Sequence, residues 1–167
     1  PYGIGSFIMG GLYAVTVVAG IHHMYTLIDL GQLARYGYTY WLPLASAANV
    51  AQGGAALAVA LKSKDTKVKS MALPSALSAC MGITEPAIFG VNLRYFKPFI
   101  GGLLGGACGA WYASIVGLGA TGTGVTGIFG ILLHLHMPLQ YIIMMAISFG
   151  VSFAVTWLIW SPEEVKA

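Results

Sequence analysis

Gly82-Ile83-Thr84-Glu85-Pro86 decides how the rest of the chain is read. A carboxylate stands here between a glycine and a proline, with apolar runs at residues 71–81 and 87–91 on either side. Glu85 is the sole charge between Lys69 and Arg94. An ionisable group at bilayer depth is costly, so it belongs in a cavity or against a partner and marks a functional site. Glycine permits backbone angles that other residues avoid, while proline removes an N–H donor and disfavours helix at the residue before it. A backbone break therefore coincides with a charge, the pattern of a ligand site on an interrupted or re-entrant segment.

That reading needs a membrane, and the composition supplies the argument. The chain is 57% hydrophobic and only 8% charged, whereas a soluble domain carries about 25% charged residues. Residues 4–28, 98–135 and 139–160 hold little or no charge, and each meets or approaches the roughly 20 residues that cross the hydrocarbon. The expected fold is an all-α integral membrane protein, with several transmembrane helices plus re-entrant helical hairpins. A soluble all-helical core is the alternative, and so little charge argues against it. The net charge of +3 sits in loops, where it marks topology and gives no reason to expect nucleic acid. Cys80 and Cys108 lie among small apolar residues without metal-ligand spacing, as reduced packing residues do. The chain opens on Pro1 and enters an apolar segment almost at once, which reads as a piece of a longer protein.

Around the Glu85 segment, the basic residues set a topology. Lys62, Lys64, Lys67 and Lys69 fall within eight residues and mark a cytoplasmic loop. Arg94 and Lys97 form a second basic site. If both are cytoplasmic, residues 70–93 leave and return to the same side, which a hairpin bent near Gly82 and Pro86 can do and a straight helix cannot. Pro74 adds a second weak point.

Other polar residues interrupt the apolar spans. The first helix, over about residues 4–28, carries His22-His23. Neighbouring helical side chains point about 100° apart, so the two imidazoles are not expected to share one cavity. Residues 31–40 read as a polar, aromatic-rich connection at headgroup level. Asn49 and Gln52 lie within residues 42–61, beside Gly53-Gly54. They fit a broken helix lining a cavity or, equally, interhelical hydrogen bonds. Gly101-Gly102, Gly105-Gly106 and Gly109 give a flat helix face for close packing, while the Gly/Thr repeat over 117–130 reads as an irregular connector. His134 and His136 lack further ligands nearby, so an interfacial role is expected and no metal site. Trp157 and Trp160 read as interface anchors on a last helix over 139–160, followed by a charged tail at 161–167.

With those residues in place, the chain resembles the membrane-spanning IIC component of the sugar phosphotransferase system (PTS), glucose–glucoside branch. Residues 82–86 match the family's glutamate loop, and Gly20-Ile21-His22-His23 match its histidine motif. Residues 47–54 and 89–98 look most like sucrose transporters, with trehalose and β-glucoside relatives next. The resemblance covers nearly the whole chain. It implies that the chain is the C-terminal transport-domain half of a PTS IIC membrane domain, carrying two re-entrant hairpins and moving against an N-terminal scaffold half absent here. It also implies a homodimer in a bacterial inner (plasma) membrane.

The activity implied is group translocation as part of a protein-Nπ-phosphohistidine–sugar phosphotransferase. A sugar enters from outside and is phosphorylated by the phosphocysteine of a IIB domain, itself charged by IIA and the general PTS proteins. Neither cysteine here has a IIB-type setting, so phosphate must come from elsewhere, and no cofactor is expected. The expected substrate is a disaccharide such as sucrose. Glu85 is the expected general base and sugar ligand, His22 and His23 bind or orient the sugar, and Asn49, Gln52 and Thr84 add neutral hydrogen bonds. Arg94, Lys97 and the lysine loop either meet phospho-IIB or serve only as topology charges. The competing reading is a proton-coupled secondary sugar transporter, in which Glu85 and His22 relay protons and leave the sugar unmodified.

Overall fold

The computed structural model describes residues 3–163; positions 164–167 of the expected charged tail lie outside the described residues. Among the described residues the chain is helical, with a single antiparallel bridge, Thr39–Ala120, outside the helices. Two helices are long and apolar enough to cross a bilayer: α3 (Leu42–Lys62) and α8 (Pro138–Ile159). Around them lie α1 (Ile4–Val18), α4 (Thr66–Cys80) and α7 (Lys97–Ile115).

α3 is the central element. Nearly all of its side chains are buried, and they are mostly Ala, Gly and Ser, so neighbouring backbones approach closely. α7 supplies matching surfaces. A Cβ on Gly105 would stand 2.5 Å from Ser148 O on α8, and one on Gly106 would stand 2.7 Å from Gly10 O on α1. The expected glycine face is therefore two adjacent strips, Gly101-Gly105-Gly109 against α8 and Gly102-Gly106 toward α3 and α1. The outer face of α8 remains apolar and exposed, with Leu139, Ile142 and Leu158 uncovered, as suits lipid or a further part of the protein.

Several boundaries differ from the expectation. The first helix stops at Val18 because Gly20 adopts φ +74°, and Ile21 N donates back to Thr16 O at 3.1 Å. This left-handed glycine closure ends a helix whatever the hydropathy beyond it. The polar connection is shorter than residues 31–40, since α2 (Tyr25–Tyr36) runs through its first half and ends at Gly37, φ +76°. Asn49 and Gln52 do not break α3, which is continuous. Pro74 leaves α4 unbroken as well. Trp160 is 1% exposed and packs on Tyr95, with ring centroids 5.6 Å apart, so it is a core residue and no interface anchor.

The segment around Glu85 forms a helix–turn–helix. α4 ends at Cys80, Gly82 turns the chain at φ +100°, and helix resumes as α5 (Glu85–Ala87), a π-helical turn (Ile88–Asn92) and α6 (Leu93–Tyr95). Ala72, Ala76 and Ala79 on the first arm pack with Ala87 and Val91 on the second. Phe96 then turns the chain into α7 with φ +60°, a strained angle for a residue with a side chain.

The lysine end of α3 is tied to the end of α8. Lys62 Nζ donates to Trp157 O and, at 2.5 Å, to Trp160 O, and it sits 5.7 Å from the Trp157 ring centroid. These are the open carbonyls of a helix C-terminus, where a cation is favoured. Lys62→Met should keep the stem and lose the charge-assisted bonds, costing about 1.5–3 kcal/mol. A lowered unfolding midpoint of the purified protein in detergent checks this, and an unchanged midpoint would refute the clamp.

Candidate functional site

The turn that ends α1 also creates the site. Beyond Gly20 the chain makes a 3₁₀ turn, His22–Met24, before entering α2. Because these residues leave the regular helix, the two imidazoles do not diverge as expected. Their rings meet at a 38° tilt with centroids 3.9 Å apart, and both line one cavity of about 120 Å³. Across the gap, His22 Nε2 lies 3.9 Å from Glu85 Oε1, with His22 mostly covered and Glu85 half exposed. That separation is too long for a hydrogen bond, yet a third oxygen can sit at hydrogen-bond distance from both atoms. His22 Nδ1 is buried without a partner. The imidazole is thus held against His23 by packing and retains hydrogen-bonding capacity.

The remaining expected residues fall into two groups. Thr84 is buried directly before Glu85, and its carbonyl accepts from Ile88 N at 2.8 Å, which starts the second arm of the hairpin. Asn49 Nδ2 donates to Thr126 Oγ1 at 2.9 Å, and Thr126 lines the histidine cavity. Asn49 therefore stands one hydrogen bond behind the cavity wall. Gln52 is 1% exposed; its Oε1 accepts from Asn92 Nδ2 at 2.8 Å, and a Cβ on Gly102 would lie 2.2 Å from its Nε2. It belongs to the α3–α7 seam and braces the π-helical turn. Gln52 thus makes an interhelical hydrogen bond, whereas Asn49 bonds to the connector that walls the cavity.

The tip of the hairpin meets the Gly/Thr connector. A Cβ on Gly82 would lie 2.5 Å from Thr126 Oγ1, and one on Gly127 would lie 2.3 Å from Cys80 O and 2.7 Å from Gly82 N. Tyr141 holds the far side, its hydroxyl donating to Gly127 O at 2.6 Å. The connector is thus the surface on which the Glu85 turn rests. Beyond it, His134 is fully buried, with its Nδ1 2.7 Å from Gly130 O and its ring stacked on Tyr141. It packs inside the fold, short of any interface. Among the described residues no group of His, Cys, Asp and Glu is arranged to hold a metal ion.

Asp29 joins the cavity from the α2 side. It is 4% exposed, and its two oxygens accept from Thr39 Oγ1 at 2.5 Å and Thr123 Oγ1 at 3.0 Å. Thr39 in turn exchanges backbone bonds with Ala120 at 2.9 and 2.8 Å. One carboxylate thereby pins α2 to two loops that close the cavity. Its sequence signal, a charge between Ile28 and Leu30, is the same kind as that of Glu85, but it falls just past residue 28, the expected end of the first helix. Tyr13, Tyr25 and Trp41 form an aromatic wall beside it, with Tyr25 and Trp41 centroids 4.7 Å apart. Asp29→Ala should strand both hydroxyls and cost about 1–3 kcal/mol. Faster amide exchange confined to residues 37–41 and 118–124 would report the released loops; uniform exchange across the protein would contradict the latch.

The sequence places these residues among known proteins. The family model described as "Phosphotransferase system, EIIC" matches residues 1–106. The "PTS system sucrose-specific EIIBC component" of Salmonella typhimurium is 47% identical over 92% of this chain and 34% of its own length. Its counterpart in Bacillus subtilis (strain 168) is 50% identical over 75% of this chain and 27% of its own length. A "PTS system trehalose-specific EIIBC component" of Bacillus subtilis is 43% identical over 77% of this chain and 27% of its own length. The chain thus spans about a third of the length of the relatives it matches. No solved structure matches. A match of the EIIC model over more than half of the chain, together with relatives this similar over most of it, establishes the kinship: the chain belongs to the phosphotransferase system EIIC family.

Proposed function

We propose that the chain is the transport half of a PTS IIC domain that carries a disaccharide, such as sucrose, across the bacterial inner membrane and presents it for phosphorylation by phospho-IIB. The observation that carries this reading is the 3.9 Å approach of His22 Nε2 to Glu85 Oε1 beside a cavity walled by imidazoles, hydroxyls and aromatic rings. A sugar offers many hydroxyls, which need both donors and acceptors, and apolar C–H faces, which suit aromatic rings. A carboxylate and an imidazole placed to share one hydroxyl suit the group that reacts. The names of the similar sucrose-specific components point to the same substrate.

Glu85 accepts the proton of the sugar hydroxyl while that oxygen attacks the phosphorus of the IIB phosphocysteine. The P–S bond breaks, the thiolate stays on IIB, and the proton remains on Glu85 until it passes to solvent. His22 and His23 hold the ring, Thr84 sets the turn from which Glu85 projects, and Asn49 and Gln52 act from behind by fixing Thr126 and Asn92. The hairpin from α4 to α6 is re-entrant in this reading, with its basic ends on the cytoplasmic side, where Arg94 and the lysine loop face an anionic phosphoprotein. The complete protein is a multi-pass homodimer whose scaffold half lies outside this chain.

The test is the chemical form of sugar accumulated by membranes bearing the complete transporter. Labelled sugar phosphate that depends on phosphoenolpyruvate and the soluble phosphotransferase proteins is the expected result. The His22–Glu85 pair also suits proton relay, the alternative reading. Unmodified sugar whose accumulation collapses with an uncoupler would establish that alternative and overturn the first.

A further inference from the structure

Two cavities meet at one side chain. The histidine cavity, about 120 Å³, and a second cleft of about 270 Å³ lined by Gly5, Ser6, Met9, Gln32, Tyr40 and Leu44 share Trp41 as a common wall. Sites that enclose a small molecule span roughly 300–1,000 Å³. Neither space reaches that scale alone, and the two joined across Trp41 do. The second cleft has the right chemistry for a neutral polyol: the Ser6 hydroxyl, the Gln32 amide and Tyr40, with no charged residue in its wall.

Trp41 is fixed on both flanks. Its backbone N donates to Thr39 Oγ1 at 3.2 Å, and its ring meets Tyr25 edge-on. Gln32 Oε1 accepts from Tyr40 N at 2.7 Å, which holds the neighbouring residue. Yet the indole Nε1 is buried without a partner. A buried Trp N–H usually has one, and leaving it unpaired is unfavourable. An aromatic plate with an unspent donor thus divides two spaces that are each too small for a two-ring ligand.

We propose that Trp41 is the divider of a two-ring sugar site. The ring to be phosphorylated lies on the histidine side, and the second ring lies in the Ser6–Gln32–Tyr40 cleft, which thereby selects disaccharides over single sugars. This rests on the proposed function of the histidine cavity. The ring in the second cleft touches no reacting atom, and its contacts act as uniform binding, equal in the ground and transition states.

The experiment uses the complete transporter in membrane vesicles, with sucrose as the probe. Ser6→Phe fills the second cleft and should raise the sucrose KM about tenfold with kcat within about twofold. Trp41→Phe keeps a plate, deletes the donor and should raise KM about fivefold with the same split. Sucrose phosphorylation with an unchanged KM in Ser6→Phe would overturn the divider and leave the function standing. Should Ser6→Phe fail to insert, an unchanged KM in Trp41→Phe decides against it equally. Absence of sucrose phosphorylation by the unaltered protein would overturn the function itself, and the divider with it.

Discussion

Glu85→Gln in the complete transporter should lower the turnover of sugar phosphorylation by about 10²–10⁴-fold, the range expected when a positioned proton acceptor is removed. Glutamine keeps the length and can still hydrogen-bond a hydroxyl, so the sugar should bind with far less loss than turnover shows. The proton is what the amide cannot take. His22 Nε2, 3.9 Å from Glu85 Oε1, reaches the same hydroxyl position as a hydrogen-bond partner that orients the sugar. His22→Gln should therefore act mainly on KM, with a smaller fall in kcat. Initial rates of labelled sugar phosphate formation at saturating sugar measure the first effect, and their concentration dependence the second. Full turnover by Glu85→Gln would remove Glu85 from the chemistry.

The Glu85 turn was legible because it carries two signals that agree, a charge without local compensation and a glycine–proline bracket. The structure turns the chain at Gly82, and His22 Nε2 lies 3.9 Å from Glu85 Oε1. What the pattern could not supply was the arrangement of groups whose partners are distant in sequence. Asn49 and Gln52 are identical in kind, three residues apart on one helix, yet one backs the cavity through Thr126 and the other braces Asn92. Nothing local separates them, because the difference lies in which helix packs on each face. The sharing of one cavity by His22 and His23 was hidden for a related reason. Hydropathy continues through Gly20, whereas the backbone reverses its sign of φ there and frees the imidazoles from helical spacing. Asp29 was overlooked because a charge just past residue 28, the expected end of the first helix, has a ready explanation as a boundary marker, and only its contacts with Thr39 and Thr123 make it a latch.

Gly127→Ala should disable the site from a residue that touches no sugar. Gly127 stands at φ +66°, where a side chain costs about 1–2 kcal/mol. Its added Cβ would also meet backbone on the hairpin tip: Cys80 O at 2.3 Å, Gly82 N at 2.7 Å and Met81 C at 2.9 Å. Backbone cannot rotate away as a side-chain end can, so the tip must shift, and overpacking of this kind costs about 1–3 kcal/mol more. The shift passes directly to Thr84 and Glu85, the next residues along the turn. A displacement of about 1 Å at a reacting group can cost about 10²-fold in rate. Gly117 supplies the matched comparison, since its φ is +64° but a Cβ there would meet nothing within 4 Å. Gly117→Ala should lower the unfolding midpoint through backbone strain alone and retain turnover, whereas Gly127→Ala should lower it further and lose about 10²-fold in turnover. Equal turnover in the two variants would mean that the connector does not hold the glutamate in place, and the hairpin tip would then need another support. The comparison also separates two meanings of a glycine-rich stretch: at 117 the residue serves its own backbone, and at 127 it serves the carboxylate a turn away.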